Sequence, residues 1–255
     1  MPELPRALPL FLGVALLSLA GCEGRPILLY HSVGEPVDPP RWVKSDAFAQ
    51  QLDWLVSEGY TPITAAELDR IELDGAPAPA RPIVLTFDDG YQNFYEHAFP
   101  ALAARGLRAT VFLISGRVGA DPAHRYRDER AAYVVQSEVR EMEAAGIEFQ
   151  SHSVSHRNLK TLSDAEALSE LTASKEELLR FLHHPVTVFA YPFGGNEPHT
   201  HELVRAAGYR SAHSVSAGLD GPYARLRGSV HLETSAQDLA RLVGGTWWGE
   251  ASGAR

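Results

Sequence analysis

The feature that most constrains this chain is an alternation of short apolar runs with helix-period segments, repeated about seven times, with polar residues massed where the apolar runs end. Ile27-Leu28-Leu29-Tyr30 and Ile83-Val84-Leu85-Thr86-Phe87 read as buried strands. So do Ala109 to Ile114, Ile147-Glu148-Phe149, Val186 to Ala190 and Leu226 to Val230, with another strand after Gly208-Tyr209. Between them Phe48, Leu52, Leu55 and Val56 recur at helical spacing before Gly59. Thr64 with Glu67, and Ser163 with Glu166, are capping boxes that open helices. Further helices are expected over Phe94–Ala104, Glu138–Ala145, up to Ala207, and Ser235–Leu242. Gly75 to Ala80 is a stiff connector, and Asp121 to Arg130 a polar surface loop.

Strand–helix alternation of this kind calls for parallel strands joined by helical crossovers. A distorted (β/α) barrel is expected rather than an open doubly wound sheet. In a barrel the C-terminal ends of all strands face one mouth, and here the polar clusters fall at strand ends. The open sheet lacks a glycine-rich phosphate turn after the first strand.

Three of those ends carry chemistry. Asp88-Asp89-Gly90 follows a buried strand; two carboxylates held close repel unless a cation neutralises one or a proton joins them. A solvated acidic turn is the bland alternative, since Asp-Gly is common in turns. His152-Ser153-Val154-Ser155-His156 offers two imidazoles on the loop leaving another strand, in a chain with eleven histidines. With one aspartate they make a facial ligand set that leaves positions open for water. Phe189 to Gly195 is a strand followed by an aromatic, glycine-rich turn, suited to packing on the CH faces of sugars or simply to a core. The charge balance, 23 basic against 32 acidic residues, argues against an electrostatic grip on nucleic acid.

The single cysteine excludes a disulfide framework. It closes an apolar stretch, Leu8 to Ala20, that follows Arg6 and is too short to span a bilayer, which needs about 20 residues. Leu19-Ala20-Gly21-Cys22 looks like a bacterial lipobox. Residues 1–21 are therefore expected to be a lipoprotein signal, and 22–255 one catalytic domain held at a membrane, exported to the periplasm or cell exterior, by a lipid on Cys22.

Taken in order, Tyr30-His31-Ser32-Val33, Thr86 to Gly90, Gly146 to His156 and Phe189 to Gly194 resemble the motifs of the polysaccharide deacetylase family, the NodB homology domain of carbohydrate esterase family 4. The resemblance covers Pro26 to about Val243 and looks closest to its poly-N-acetylglucosamine deacetylase branch. It implies a metal-dependent hydrolase that removes N-acetyl groups from a polysaccharide. Asp88 would be the general base, and Asp89, His152 and His156 the ligands of a divalent metal, zinc. His31, Tyr191, Pro192 and Phe193 would meet the substrate, and a backbone N–H near Phe193 the oxyanion. The arginine that usually begins the family's third motif is replaced by Ala190; Arg227 is the expected substitute, with Arg225 the alternative on the same strand face. His231 is the nearest match to the family's acid, with His31 its rival. Two other readings stay open: a peptidoglycan or small-amide deacetylase on the same fold, and a lipid-anchored carbohydrate-binding module without catalysis.

Overall fold

A computed structural model of the chain describes residues 25–34, 36–37, 39–128 and 131–244; the expectations for the leader and Cys22 lie outside the described residues. Parallel strands form a nearly closed barrel with helices outside it. In chain order they are β1 Ile27–Tyr30, a small ribbon of β2 Ser32–Val33 with β3 Trp42–Val43, α1 Ser45–Ser57, β4 Thr61–Ile63, α2 Ala65–Leu73 and β5 Pro82–Phe87. A π-helical turn, Phe94–Ala98, runs into α3 Phe99–Ala103. Then come β6 Thr110–Leu113, α4 Gln136–Ala144, β7 Glu148–Ser151, α5 Asp164–Leu179, β8 Val188–Ala190, α6 Pro198–Ala206, β9 Ser211–Ser214, β10 Arg225–Leu226, β11 Gly228–Ser229 and α7 Ala236–Val243.

Around the barrel the order is β10-β9-β8-β7-β6-β5-β1-β11. β4 lies against the first half of β5, where Thr61 to Ile63 pair with Pro82 to Val84. The strand expected over Leu226 to Val230 is two short pieces, broken at Arg227. The reason is closure. Arg225 and Leu226 pair with β9, whereas Gly228 and Ser229 pair with Leu28 and Leu29 of β1 on the other side. One segment changes neighbours midway and so bridges the last gap. Gly228 suits that crossing because a Cβ there would meet Leu242 of α7 at 3.1 Å.

Side-chain alternation along each strand sorts the core into two layers. Leu28, Tyr30, Leu85, Phe87, Val111, Leu113, Phe149 and Phe189 point outward and pack with Phe48, Leu52 and Leu55 of α1 and the other helices. Ile27, Val84, Phe112, Val188 and Ala190 point inward and meet Ala65 and Leu68 of α2, which plugs the barrel floor. The plug is held by its cap: Thr64 Oγ1 accepts from the Glu67 N–H, the Glu67 carboxylate accepts from the Thr64 N–H, and the Ala65 N–H donates to Thr110 Oγ1 of β6. The second capping box, Ser163 with Glu166, opens α5 as the sequence implies. With floor and wall packed, the C-terminal strand ends are left to carry the polar residues.

Candidate active site

At the mouth, the end of β5 brings Asp88 and Asp89 together although neighbours on a strand face opposite ways. Asp89 itself adopts a left-handed backbone, φ 75°, followed by Gly90 at φ 76°. Gly90 is also required by space, since a Cβ there would lie 2.6 Å from Leu113 Cδ2. Ser153, His156 and Phe193 also have positive φ, 65°, 61° and 57°. Such backbones cost of order 1–3 kcal/mol each and persist where the surrounding fold imposes them. Their concentration at one mouth marks the site independently of any motif.

The histidine loop leaves β7. Its shape is held by Glu170 of α5, whose carboxylate accepts from the Val154 and Ser155 amides at 3.0 and 2.9 Å. Ser153 Oγ accepts from the His156 N–H at 3.0 Å. His152 Nδ1 donates to the Ala190 carbonyl at 2.8 Å, which leaves Nε2 as the nitrogen with a free lone pair. That atom lies 3.6 Å from Asp89 Oδ1, and His156 Nε2 lies 3.3 Å from the same oxygen. One atom from each of the three residues falls within 4.8 Å of the others. Ligands about 2.0–2.1 Å from a tetrahedral zinc would be roughly 3.3 Å apart, so a small contraction suffices. Asp89 Oδ1 is buried and has no hydrogen-bond donor among the described residues. That is what a metal ligand looks like, and the donor set fits one divalent cation.

Charge reinforces this. Burial would raise both carboxyls. For Asp89 that is overcome by His31, His152 and His156. For Asp88 it is overcome by Arg227, then His152, which hold it well below the usual carboxylate range. His156 is pushed down to about 4 by burial and by His152, so its imidazole is neutral at neutral pH, the form that can hold a metal.

Arg227, at the break between β10 and β11, grips Asp88 with both arms: Nη1 to Oδ1 and Nη2 to Oδ2, each 2.7 Å. Nη1 also reaches Thr86 Oγ1 at 3.3 Å, and the guanidinium carbon stands 5.4 Å over the Phe112 ring. Arg225 does not compete for this position. It pairs with Asp69 of the floor helix and, at 3.1 Å, with Glu72.

His31 and His231 separate. His31 follows β1 and feels Asp88 and Asp89, which partly offset the lowering of its pKa by burial. His231 is lowered by burial and by Arg41, with no influence from the acidic pair resolved. Its backbone N–H donates to Thr234 Oγ1 at 2.8 Å. The acidic pair thus acts on His31, while Arg41 acts on both histidines.

The aromatic turn needs a correction. Tyr191 and Pro192, expected to meet substrate, are buried. Because Ala190 points into the barrel, Tyr191 points outward under the helices; its ring packs edge-on against Phe189 and its hydroxyl donates to the Tyr223 carbonyl at 3.1 Å. Phe193 is the exposed member, 60% accessible, with its ring centre 4.6 Å from that of His156. The Tyr191 amide donates to the His213 carbonyl, and the Gly194 and Gly195 amides to the carbonyls of Tyr191 and Pro192. The Phe193 amide has no acceptor among the described residues.

The sequence reading gave no site role to Thr86, Phe112, Glu170 or His213. Thr86, Phe112 and His213 occupy inward positions of their strands, a period-two signal that the motifs obscured.

Comparison with known proteins agrees with this geometry. Residues 75–212 match the family model described as polysaccharide deacetylase. YxkH of Bacillus subtilis, assigned by name to the polysaccharide deacetylases, is 28% identical over 219 residues, covering 83% of this chain and 74% of YxkH. The poly-beta-1,6-N-acetyl-D-glucosamine N-deacetylase of Staphylococcus aureus (strain MRSA252) is 26% identical over 182 residues, 68% of this chain and 61% of that enzyme. Among solved structures, the Streptococcus pyogenes deacetylase PplD in complex with acetate superposes with a TM-score of 0.75 at 26% identity, covering 86% of this chain and 97% of PplD. Strand order, the Asp-His-His cluster and the matched sequence together place this chain in the polysaccharide deacetylase family.

Proposed function

We propose that this chain is a metal-dependent N-deacetylase of an N-acetylated polysaccharide such as poly-N-acetylglucosamine, with acetate as its second product. The observation that carries the reading is the pairing of an open Asp89–His152–His156 cluster with a neighbouring carboxylate, Asp88, held by a buried arginine. A binding module has no need of a base beside a metal site. The name of the Staphylococcus aureus relative supports the substrate class.

When bound, a divalent cation such as zinc would polarise the acetamide carbonyl and acidify water, whose pKa can fall to about 7 on zinc. Asp88 takes the proton of the attacking water, a role worth roughly 10²–10⁴ in rate. Its low proton affinity keeps it ionised, and Arg227 fixes the carboxylate plane. The new C–O bond places negative charge on the former carbonyl oxygen, where the Phe193 amide can donate to it. As the C–N bond breaks, a proton goes to the leaving amine; the electrostatic influence of Asp88 and Asp89 on His31 supports that imidazole as its source. Phe193 offers a ring face to the sugar at the mouth. Cys22, in this reading, carries the lipid that keeps the enzyme at a bacterial membrane.

The test is acetate release from N-acetylglucosamine oligomers of differing linkage, intact peptidoglycan and small acetamides. Release from the oligomers by wild type but not by Asp88→Asn supports the proposal. Turnover of small acetamides or peptidoglycan alone would replace the substrate, and binding without acetate would replace the activity.

A further inference from the structure

One side of the barrel interior is polar from floor to mouth. Ser211 and His213 of β9 and the neighbouring Arg225 and Arg227 all lie on the inward face. At the floor Ser211 Oγ donates to Asp69 Oδ2 at 3.0 Å, and Arg225 pairs with the same carboxylate. At the mouth Arg227 holds Asp88. His213 stands between these two ion pairs, in register with Ala190 on one side and Arg225 on the other.

His213 is fully buried, and neither ring nitrogen has a hydrogen-bond partner among the described residues. Arg227 Nε, also buried, likewise has none. Unpaired buried polar atoms are uncommon and costly. These have complementary chemistry. Burial, Arg225 and Arg227 push His213 well below its ordinary pKa, so its ring is neutral, with one acceptor nitrogen and one donor. Arg227 Nε–H is a donor only. Both side chains touch the same Phe112 ring, whose centre is 5.4 Å from the His213 ring centre and 5.4 Å from the Arg227 guanidinium carbon. Arg227 is also tied to the residue after His213, its backbone N–H donating to the Ser214 carbonyl at 3.0 Å; buried polar groups on one face that do not bond directly are commonly joined by one interior water.

We propose that His213 is a positioning residue for the deacetylation reaction, its imidazole accepting a hydrogen bond from Arg227 Nε–H through one bridging water. The inference rests on the deacetylase reading above. Arg227 commits Nη1 and Nη2 to Asp88, so Nε is the remaining direction of a planar fork. Anchoring it fixes the plane of the guanidinium and, through it, the plane of the Asp88 carboxylate.

The experiment uses the full zinc-loaded protein as wild type, His213→Leu and His213→Gln. Leucine removes the acceptor; glutamine keeps one. The expected result is roughly tenfold lower kcat for His213→Leu, with KM and metal content unchanged, and recovery to within about threefold in His213→Gln. Nitrogen-15 NMR should show a slowly exchanging Arg227 Nε–H in wild type and His213→Gln that exchanges rapidly in His213→Leu. Wild-type kcat in His213→Leu, equal losses in both variants, or a rapidly exchanging Nε–H in the wild type would each overturn the proposal. If the wild type releases no acetate from any glycan, the deacetylase reading fails, and the NMR comparison still decides the contact. If His213→Leu does not fold, the wild-type and His213→Gln signals decide it.

Discussion

Replacing Arg227 by alanine isolates the buried pair that distinguishes this mouth from an ordinary acidic turn. The two hydrogen bonds to Asp88 are both 2.7 Å, and both side chains are nearly inaccessible, 1% for Arg227 and 4% for Asp88. Removing one partner of such a pair leaves an uncompensated charge, which costs about 3–5 kcal/mol. Against a typical domain stability of about 5–15 kcal/mol the variant should still fold, with a visibly lower denaturant midpoint. Arg227→Lys keeps the charge but loses the fork, and should cost less, about 1.5–3 kcal/mol, the value of one charge-assisted hydrogen bond. The sign with pH follows from Asp88. In the wild type its folded pKa lies below the unfolded value, so the pair stabilises above about pH 4 and the contribution fades as pH falls toward the folded pKa. Without Arg227 the burial effect has far less to oppose it, and the carboxyl rises. The stability gap between wild type and Arg227→Ala should therefore be widest near neutrality and shrink on acidification, and the acid limb of the pH–rate profile should move to higher pH. Equilibrium denaturation over that range measures it. A gap under about 0.5 kcal/mol at neutral pH, within the range of ordinary surface substitutions, would refute the reasoning.

Asp88→Asn should retain zinc by elemental analysis while turnover falls at least roughly 10²-fold, whereas Asp89→Ala, His152→Ala and His156→Ala should each lose metal as well; equal metal loss at Asp88 and Asp89 would reverse their roles. His31→Ala should remove the basic limb of the pH–rate profile and His231→Ala should leave it in place, with the opposite pattern returning the acid role to His231. Tyr191→Phe should lower stability by about 0.5–1.5 kcal/mol without changing KM, since its buried hydroxyl donates to the Tyr223 carbonyl; Phe193→Ala should raise KM for oligosaccharides. Cys22→Ser should shift the protein out of the membrane fraction or leave it unprocessed, and wild-type fractionation would remove the lipid anchor from the account.

Much of the fold was legible because local signals agreed with one another. β5 and β6 are apolar runs of strand length, and both capping boxes at Thr64 and Ser163 form as their sequences imply. β4 and the β2–β3 ribbon escaped notice because two or three residues carry no measurable period. The interruption at Arg227 is a property of closure. It depends on β1 and β9 reaching the same short segment from opposite sides, which no local pattern records. In the site, the Asp88, Asp89, His152 and His156 cluster could be read from motif order. Arg227 was the expected partner of Asp88 and is the one that reaches it; what no pattern recorded is the role of the alternative, Arg225, which shares the strand face but finds its carboxylate at the floor. Tyr191 was misplaced because an aromatic beside a glycine-rich turn suits a sugar platform or a core equally well. The inward direction of Ala190 decides it.

The central claim, that the Asp89–His152–His156 cluster serves hydrolysis of an N-acetyl group on a glycan, is tested most directly by one reconstitution. Protein stripped by chelator is titrated with zinc, and acetate release from poly-β-1,6-N-acetylglucosamine oligomers is followed in parallel with bound metal. The account predicts no turnover by the stripped protein, recovery in proportion to zinc, and saturation at one ion per chain. Full activity after stripping, or stoichiometric zinc binding with no acetate released from any glycan, would contradict it.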